Sequence, residues 1–458
     1  MNPSIGITPG FGIDAVHSDR VQAKCCALAL IVLILLAWTA SFVVGFPAAL
    51  MVLALTALGA AVVGVRWPAV GLIGIAMSCA LEPMSRGILA EMSFWRFNTL
   101  TYWLCVVMLL SGPFLLRLDD LHTRLWQLFV LLLGLGLAVS PQPAAGAQQF
   151  LNVVVLFGLL VYFARTGSDG GVLYWTALVT GILSAVGSPA YFLQQDQLPP
   201  ITHCIWVYFP LTALFSTCLA FPFVGDRRGQ FVLMSLAIVN CIWTFLSGSR
   251  GGLAVAVCCI LFLMIKMRDA SSRVLIVTTA VLLGVVASFL FADLHESAFE
   301  RVTILLSDSE ADRDKYHGRS DLVIAGWNMF LDNPFGVGTG GFASAWLSRG
   351  RIGGMTDYGQ GIEKSAHATW IQVLAENGIP GILLLGGFVA AFAFVGWRRA
   401  DANVRGLALL TTVVLGVALC ATEFHKSIGL CFLAAGVMSM LYREKMAVHL
   451  RSALAPSR

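Results

Sequence analysis

The chain has 458 residues, of which 58% are hydrophobic and only 12% charged. An ordinary soluble domain carries about 25% charged residues, so this composition excludes one. The formal net charge of +4 selects no partner by itself, and no nucleic acid is expected as one.

In chain order, the first 20 residues hold Pro, Gly and Asp, and residues 25–44 (CCALALIVLILLAWTASFVV) carry no charged side chain. As a helix that length spans a hydrocarbon core. With no cleavage-type flank, it reads as a retained helix and not as a removed signal peptide. About fourteen such apolar segments follow one another, starting near residues 25, 46, 67, 98, 125, 148, 171, 203, 231, 252, 274, 379, 406 and 427. A membrane β-barrel would show short alternating segments instead. If the N-terminus is cytoplasmic, alternate loops carry roughly 18 Lys and Arg against 4 in the short loops on the other side, which fixes the orientation by the positive-inside rule. Both termini are then cytoplasmic. The expected fold is an all-α polytopic membrane protein of about 12–14 transmembrane helices.

The eleven cysteines all lie in or beside apolar segments, with no Cys-x-x-Cys spacing. They read as small packing residues, not as a disulfide framework. Residues 247–252 (SGSRGG) form a tight connection between two apolar segments on the outer side. Arg250 there is a lone cation among small residues at a membrane boundary. It either snorkels to headgroups or holds an anion, with forked guanidinium hydrogen bonds and backbone N–H groups exposed by its glycine neighbours.

The one long polar interruption runs from residue 293 to 367, and polar stretches of that length are functional or disordered. Its first part, 300–320, is charge-dense and reads as irregular. Residues 321–330 (DLVIAGWNMF) have helical spacing, with Ser320 at the N-cap position, and Asn333-Pro334 stops the helix. The cluster Gly336-Val337-Gly338-Thr339-Gly340-Gly341 formally matches a dinucleotide fingerprint but has no preceding strand or following βαβ unit. It reads as a tight turn that lets backbone approach a neighbour closely. Residues 349–360 read as a flexible arm. Residues 367–376 (HATWIQVLAE) read as a short helix with His367 in its first turn, broken at Asn377-Gly378-Ile379-Pro380. His367 is a candidate base near neutral pH, as are His317 and His425; each is also readable as a merely exposed or satisfied histidine. The resulting organisation is a bundle of about 11 spans over 1–292, a loop over 293–367, and over 368–458 a short re-entrant or interfacial helix with about three further spans, all one integrated membrane domain. Apolar segments so poor in ionisable groups argue against an ion-coupled transporter.

Three stretches in this order, SGSRGG at 247–252, RSDLVIAGWNMFLDNPFGVGTGGF at 319–342 and HATWIQVLAENGIPG at 367–381, resemble the O-antigen ligase and polysaccharide polymerase superfamily of bacterial inner membranes. The resemblance implies a metal-independent, cofactor-free, inverting glycosyltransferase that moves a glycan from undecaprenyl diphosphate to an acceptor hydroxyl on the periplasmic face. It implies a periplasmic position for the long loop, Arg250 and Arg319 on the diphosphate, and His367 as general base. Ser249, Gly251, Gly338 and Glu376 are supporting residues. The expected partners are the lipid-linked glycan donor, a glycan or lipid A–core acceptor and membrane lipid, with a chain-length regulator and a flippase as further candidates. A surface or exopolysaccharide polymerase is favoured over a ligase to lipid A–core or a protein O-oligosaccharyltransferase; a transporter or flippase of lipid-linked oligosaccharide is the distant alternative. Ala368 stands where many members have Asn or Ser, so a neighbouring hydrogen bond of the family is not expected here. Residues 194–203 lack the Arg- or Asn-rich pattern common there, which leaves a third phosphate-binding Arg open among Arg86, Arg96, Arg301, Arg313, Arg349 and Arg351.

Overall fold

The structure, a computed structural model, describes residues 120–144, 170–192, 203–247, 250–267, 317–349, 366 and 368–421, with parts of 146–158 and 434–442. The spans expected near residues 25, 46, 67, 98 and 274, both chain termini and the stretches 293–316 and 350–365 lie outside the described residues. What is described is an all-α polytopic membrane protein without strands. Its helices are α1 (Leu121–Ala138), α2 (Gly170–Phe192), α3 (His203–Ala220), α4 (Arg227–Leu246), α5 (Arg250–Lys266), α6 (His317–Asp332), α7 (Phe342–Arg349), α8 (Thr369–Trp397) and α9 (Ala402–Ala421). Among the described residues α1, α4, α8 and α9 are long and apolar enough to cross a bilayer.

Acidic residues start three of these helices. Asp120 accepts the Thr123 backbone N–H at 2.8 Å, Asp226 that of Gly229 at 2.7 Å, and Asp401 that of Asn403 at 2.7 Å. Each supplies an acceptor to backbone donors left open at a helix start. The bundle packs through α2 on α3 and α4, α5 on α3, α4 and α9, and α8 on α1 and α9. Its interior is lined by large rings: Trp126 of α1 lies 4.6 Å from Phe388 of α8, and His122 lies 4.3 Å from Phe392, centroid to centroid.

These contacts set the relative directions of the helices. His122 meets Phe388 and Phe392, whereas a Cβ on Gly136 would lie 3.0 Å from Asn377, so α1 and α8 run antiparallel. Lys266 donates to the Asn403 side chain at 2.8 Å, and a Cβ on Gly406 would lie 3.3 Å from Phe262, so α5 ends where α9 begins. Arg124, Arg227, Arg228, Lys266, Arg398, Arg399 and Arg405 therefore share one end of the bundle. Arg250, the end of α1 and the glycine cluster lie at the other.

Helix α8 is not one rod. Gly378 has φ 61° and ψ −153°, a conformation essentially reserved for glycine, and Pro380 follows it. In a straight helix residues 370 and 386 would stand about 24 Å apart. Here a Cβ on Gly386 would lie 3.8 Å from the Trp370 ring, and one on Gly381 only 2.9 Å from Val373. Residues 369–377 thus fold back along 379–397 as a short re-entrant arm. The long arm, 19 residues, is about 28 Å, close to a hydrocarbon core of about 30 Å.

The interruption expected over 293–367 folds in part. Helix α6 is already formed at His317, so Ser320 lies inside the helix and is not its N-cap, and residues 317–320 are helical where irregular structure was expected. Leu322, Met329, Phe342, Ala366 and Ala375 form a small buried cluster that fixes α6 and α7 on the re-entrant arm. Helix α6 ends at Asp332, before Pro334 as expected, with the Asn333 N–H donating back to Met329 at 3.0 Å.

Candidate functional site

The glycine cluster and the hinge of α8 are two halves of one knot. Breaking a helix frees its last carbonyls, and the turn uses them. Val337 N–H donates to Ala375 O at 2.9 Å, Gly338 N–H to Glu376 O at 3.0 Å, and Ile379 N–H to Pro334 O at 3.0 Å. Such closeness needs bare backbone: a Cβ on Gly336, where φ is 91°, would overlap the Glu376 carbonyl. This is the close approach expected of the cluster, made to another backbone of the same chain.

Glu376 is buried beneath this knot. Its Oε1 accepts from the Phe342 N–H at 3.3 Å and from Gln372 Nε2 at 3.2 Å, and the Gly340 backbone and Gln149 side chain also face the carboxylate. A carboxylate placed there clamps the start of α7 to the re-entrant arm, since a buried polar group without partners is costly. Thr339 extends the clamp to α1: its N–H donates to Gly136 O at 3.1 Å and its Oγ1 to Leu133 O at 2.9 Å, while Asn377 Nδ2 donates to Thr339 Oγ1 at 3.1 Å. Gln372, Gln149, Thr339 and Asn377 are not among the residues singled out from the sequence. The i, i+4 spacing of Gln372 and Glu376 was readable there; the Gln149 and Thr339 contacts join segments far apart in the chain and leave no local signal.

Of the residues singled out, Gly338 and Glu376 come together in the knot. Arg250 and Gly251 open α5, and Arg319 lies in the first turn of α6; of Arg250 and Arg319 the structure describes the backbone only. Ser249, His367 and the flexible arm over 350–365 lie outside the described residues. The short helix begins at Thr369, two residues after His367. The neighbours of His367, Ala366 and Ala368, are both buried, and Ala366 shares its cluster with Leu322, three residues after Arg319. The segments carrying Arg319 and His367 therefore meet.

Height along the bundle relates this junction to Arg250. Phe262 lies level with Gly406, and Arg250 is 12 residues from Phe262, about 18 Å along α5. The same rise along α9 from Gly406 reaches residue 418. The Trp370 indole N–H donates to Gly416 O at 3.2 Å. The start of the re-entrant arm and the start of α5 thus stand at about the same height, to within roughly one helical turn. Without the fold-back at Gly378, the two would be separated by about 24 Å, nearly twice the length of the short arm. Among the described residues no group of three or more His, Cys, Asp or Glu gathers to hold a metal.

Residues 231–386 match a family described as O-antigen ligase. The match spans α4, α5, α6, α7, the knot and the re-entrant arm, and supports the resemblance to the O-antigen ligase and polymerase superfamily. No curated protein matches the chain.

Proposed function

We propose that the protein is a glycosyltransferase of the inner membrane that moves a glycan from undecaprenyl diphosphate to an acceptor hydroxyl on the periplasmic face, as a surface-polysaccharide polymerase. The coarser reading, membrane glycan processing of the O-antigen ligase and polymerase type, follows from the family match. The finer one is supported chiefly by the re-entrant arm, whose start at Trp370 stands at the height of Arg250, and by Ala366, which packs with Leu322 of α6. The gathering of Lys and Arg at the opposite end supports a cytoplasmic position for that end.

In this reading the His367 imidazole takes the proton of the acceptor hydroxyl. The oxygen attacks the anomeric carbon, and the bond from that carbon to the diphosphate oxygen breaks with inversion. The electron pair and its charge go to the departing undecaprenyl diphosphate, where Arg250 and Arg319 stabilise the transition state more than the ground state. A neutral imidazole is suited to that proton transfer near pH 7. The knot contributes rigidity: it holds the arm and α6 against each other, so that base and guanidinium keep a fixed spacing.

The test is transfer by purified protein in liposomes with the donor facing outward. His367→Ala and Arg250→Ala should each lose activity by at least about 100-fold, as removal of a general base or a charge-stabilising donor does. A chelator should leave the wild type unaffected. Wild-type rates in both variants, or strict need for a divalent metal, would overturn the mechanism. The glycan profile of a deletion strain separates polymerase from ligase: single repeat units on the final acceptor indicate the former, long chains left on the carrier the latter.

A further inference from the structure

Helix α6 is apolar on two faces. Leu322, Gly326 and Met329, at i, i+4 and i+7, are buried against α7 and the re-entrant arm. Ile324, Trp327 and Leu331, at i, i+3 and i+7, form a second stripe that is 53%, 49% and 58% exposed. Val323 beside them is exposed as well. A helix of a water-filled loop carries polar groups on its outer face, and one apolar all round belongs in a core or a membrane.

Its height is set by contacts on three sides. A Cβ on Gly326 would overlap Ile371 of the re-entrant arm. The exit of α6 is tied to the start of the long arm by the Ile379 N–H, which donates to Pro334 O. The re-entrant arm runs back beside the long arm, with Val373 near Gly381 and Trp370 near Gly386. The second half of α6, residues 326–332, thus runs beside the re-entrant arm and is level with about residues 379–387 of the long arm. Trp327, seven residues before Pro334, lies about 10 Å inside the level at which the long arm begins. The exposed apolar residues of the long arm at that height include Ile379 and Leu383, the latter 67% exposed. The stripe on α6 lies at the height of these residues.

From this match in height we propose that the second half of α6 is sunk into the leaflet on the hinge side of the bundle. Ile324, Trp327 and Leu331 form a bilayer-contact surface whose occupant is the acyl chains of membrane phospholipid. The proposal rests on the chain being a membrane protein and is independent of the transferase chemistry. It makes the junction of α6 with the re-entrant arm a site recessed below the membrane surface, whereas the sequence places this segment in an aqueous loop.

The test uses the full chain in vesicles of phosphatidylethanolamine and phosphatidylglycerol carrying radiolabelled acyl chains, with the photoreactive p-benzoylphenylalanine at one position at a time. Ile324, Trp327 and Leu331 should each give labelled protein on irradiation, as Leu383 does, and the buried Met329 should not. Cross-links confined to the protein itself at 324, 327 and 331, with Leu383 labelled, would overturn the proposal. Labelling from radiolabelled undecaprenyl phosphate in place of phospholipid would overturn the choice of occupant. As a second measurement, Ile324→Gln and Leu331→Gln should each lower the yield of folded protein in membranes at least twofold. Unchanged yield in both would mean that the face meets water.

Discussion

Gly378→Ala tests the hinge on which the site depends. The backbone there, φ 61° and ψ −153°, is open to glycine alone, and holding a residue in so sparse a region costs about 1–3 kcal/mol. The added methyl would also overlap Pro334 O and approach the Phe335 carbonyl carbon to 2.6 Å. Neither neighbour can retreat cheaply, because both belong to the turn that is bonded to the hinge. Moving them stretches the bonds from Ile379 to Pro334, Gly338 to Glu376 and Val337 to Ala375, each with a net contribution of about 0.5–1.5 kcal/mol. The combined loss is roughly 2.5–7.5 kcal/mol, a large share of the stability of a typical domain. The assay is thermal unfolding of the purified protein in detergent, with liposome transfer measured in parallel. Gly416→Ala is the matched control: a methyl added at Gly416 would meet nothing within 4 Å, and the residue sits in the regular helix α9. The apparent Tm should fall by roughly 5 °C or more for Gly378→Ala and stay near wild type for Gly416→Ala. Equal stability and activity in both variants would refute the hinge argument.

Glu376→Gln keeps an acceptor for the Phe342 N–H and should stay near wild-type stability, whereas Glu376→Ala leaves buried donors without a partner and should lose about 1–3 kcal/mol in denaturant unfolding. If Glu376→Gln is as unstable as Glu376→Ala, the clamp depends on charge and not on hydrogen bonding. Gly326→Ala should push α6 off the re-entrant arm through Ile371, costing about 1–3 kcal/mol as overpacking does, and Ile371→Ala should restore part of the loss in the double variant. Strict additivity of the two substitutions would show that the contact does not couple α6 to the arm.

Much of this architecture is legible in the sequence because it follows from local rules. Apolar runs near residues 125, 203, 231 and 406 became α1, α3, α4 and α9, and Asp120, Asp226 and Asp401 began helices where a side-chain acceptor is needed. The break at Gly378-Ile379-Pro380 and the stop at Asn333-Pro334 could be read from residue type alone. The start of α6 could not: Ser320 has the right chemistry for a cap, but the helix is already formed at His317.

By itself the sequence determined that the chain lives in a membrane, where several of its helices stop, and where the segments that resemble the family's motifs lie. Composition and helix length are properties of single segments, so they need no partner to be read. Only the tertiary structure decided that the break at Gly378 folds the short arm back along the long one, and that the glycine turn takes up the freed carbonyls of the break. It also decided that α6 stands beside that arm at the height of the long arm's first residues. The physical reason is that a broken helix leaves donors and acceptors whose satisfaction depends on which distant segment reaches them. In this chain that segment is the turn at 334–338, about 40 residues upstream of the hinge it completes.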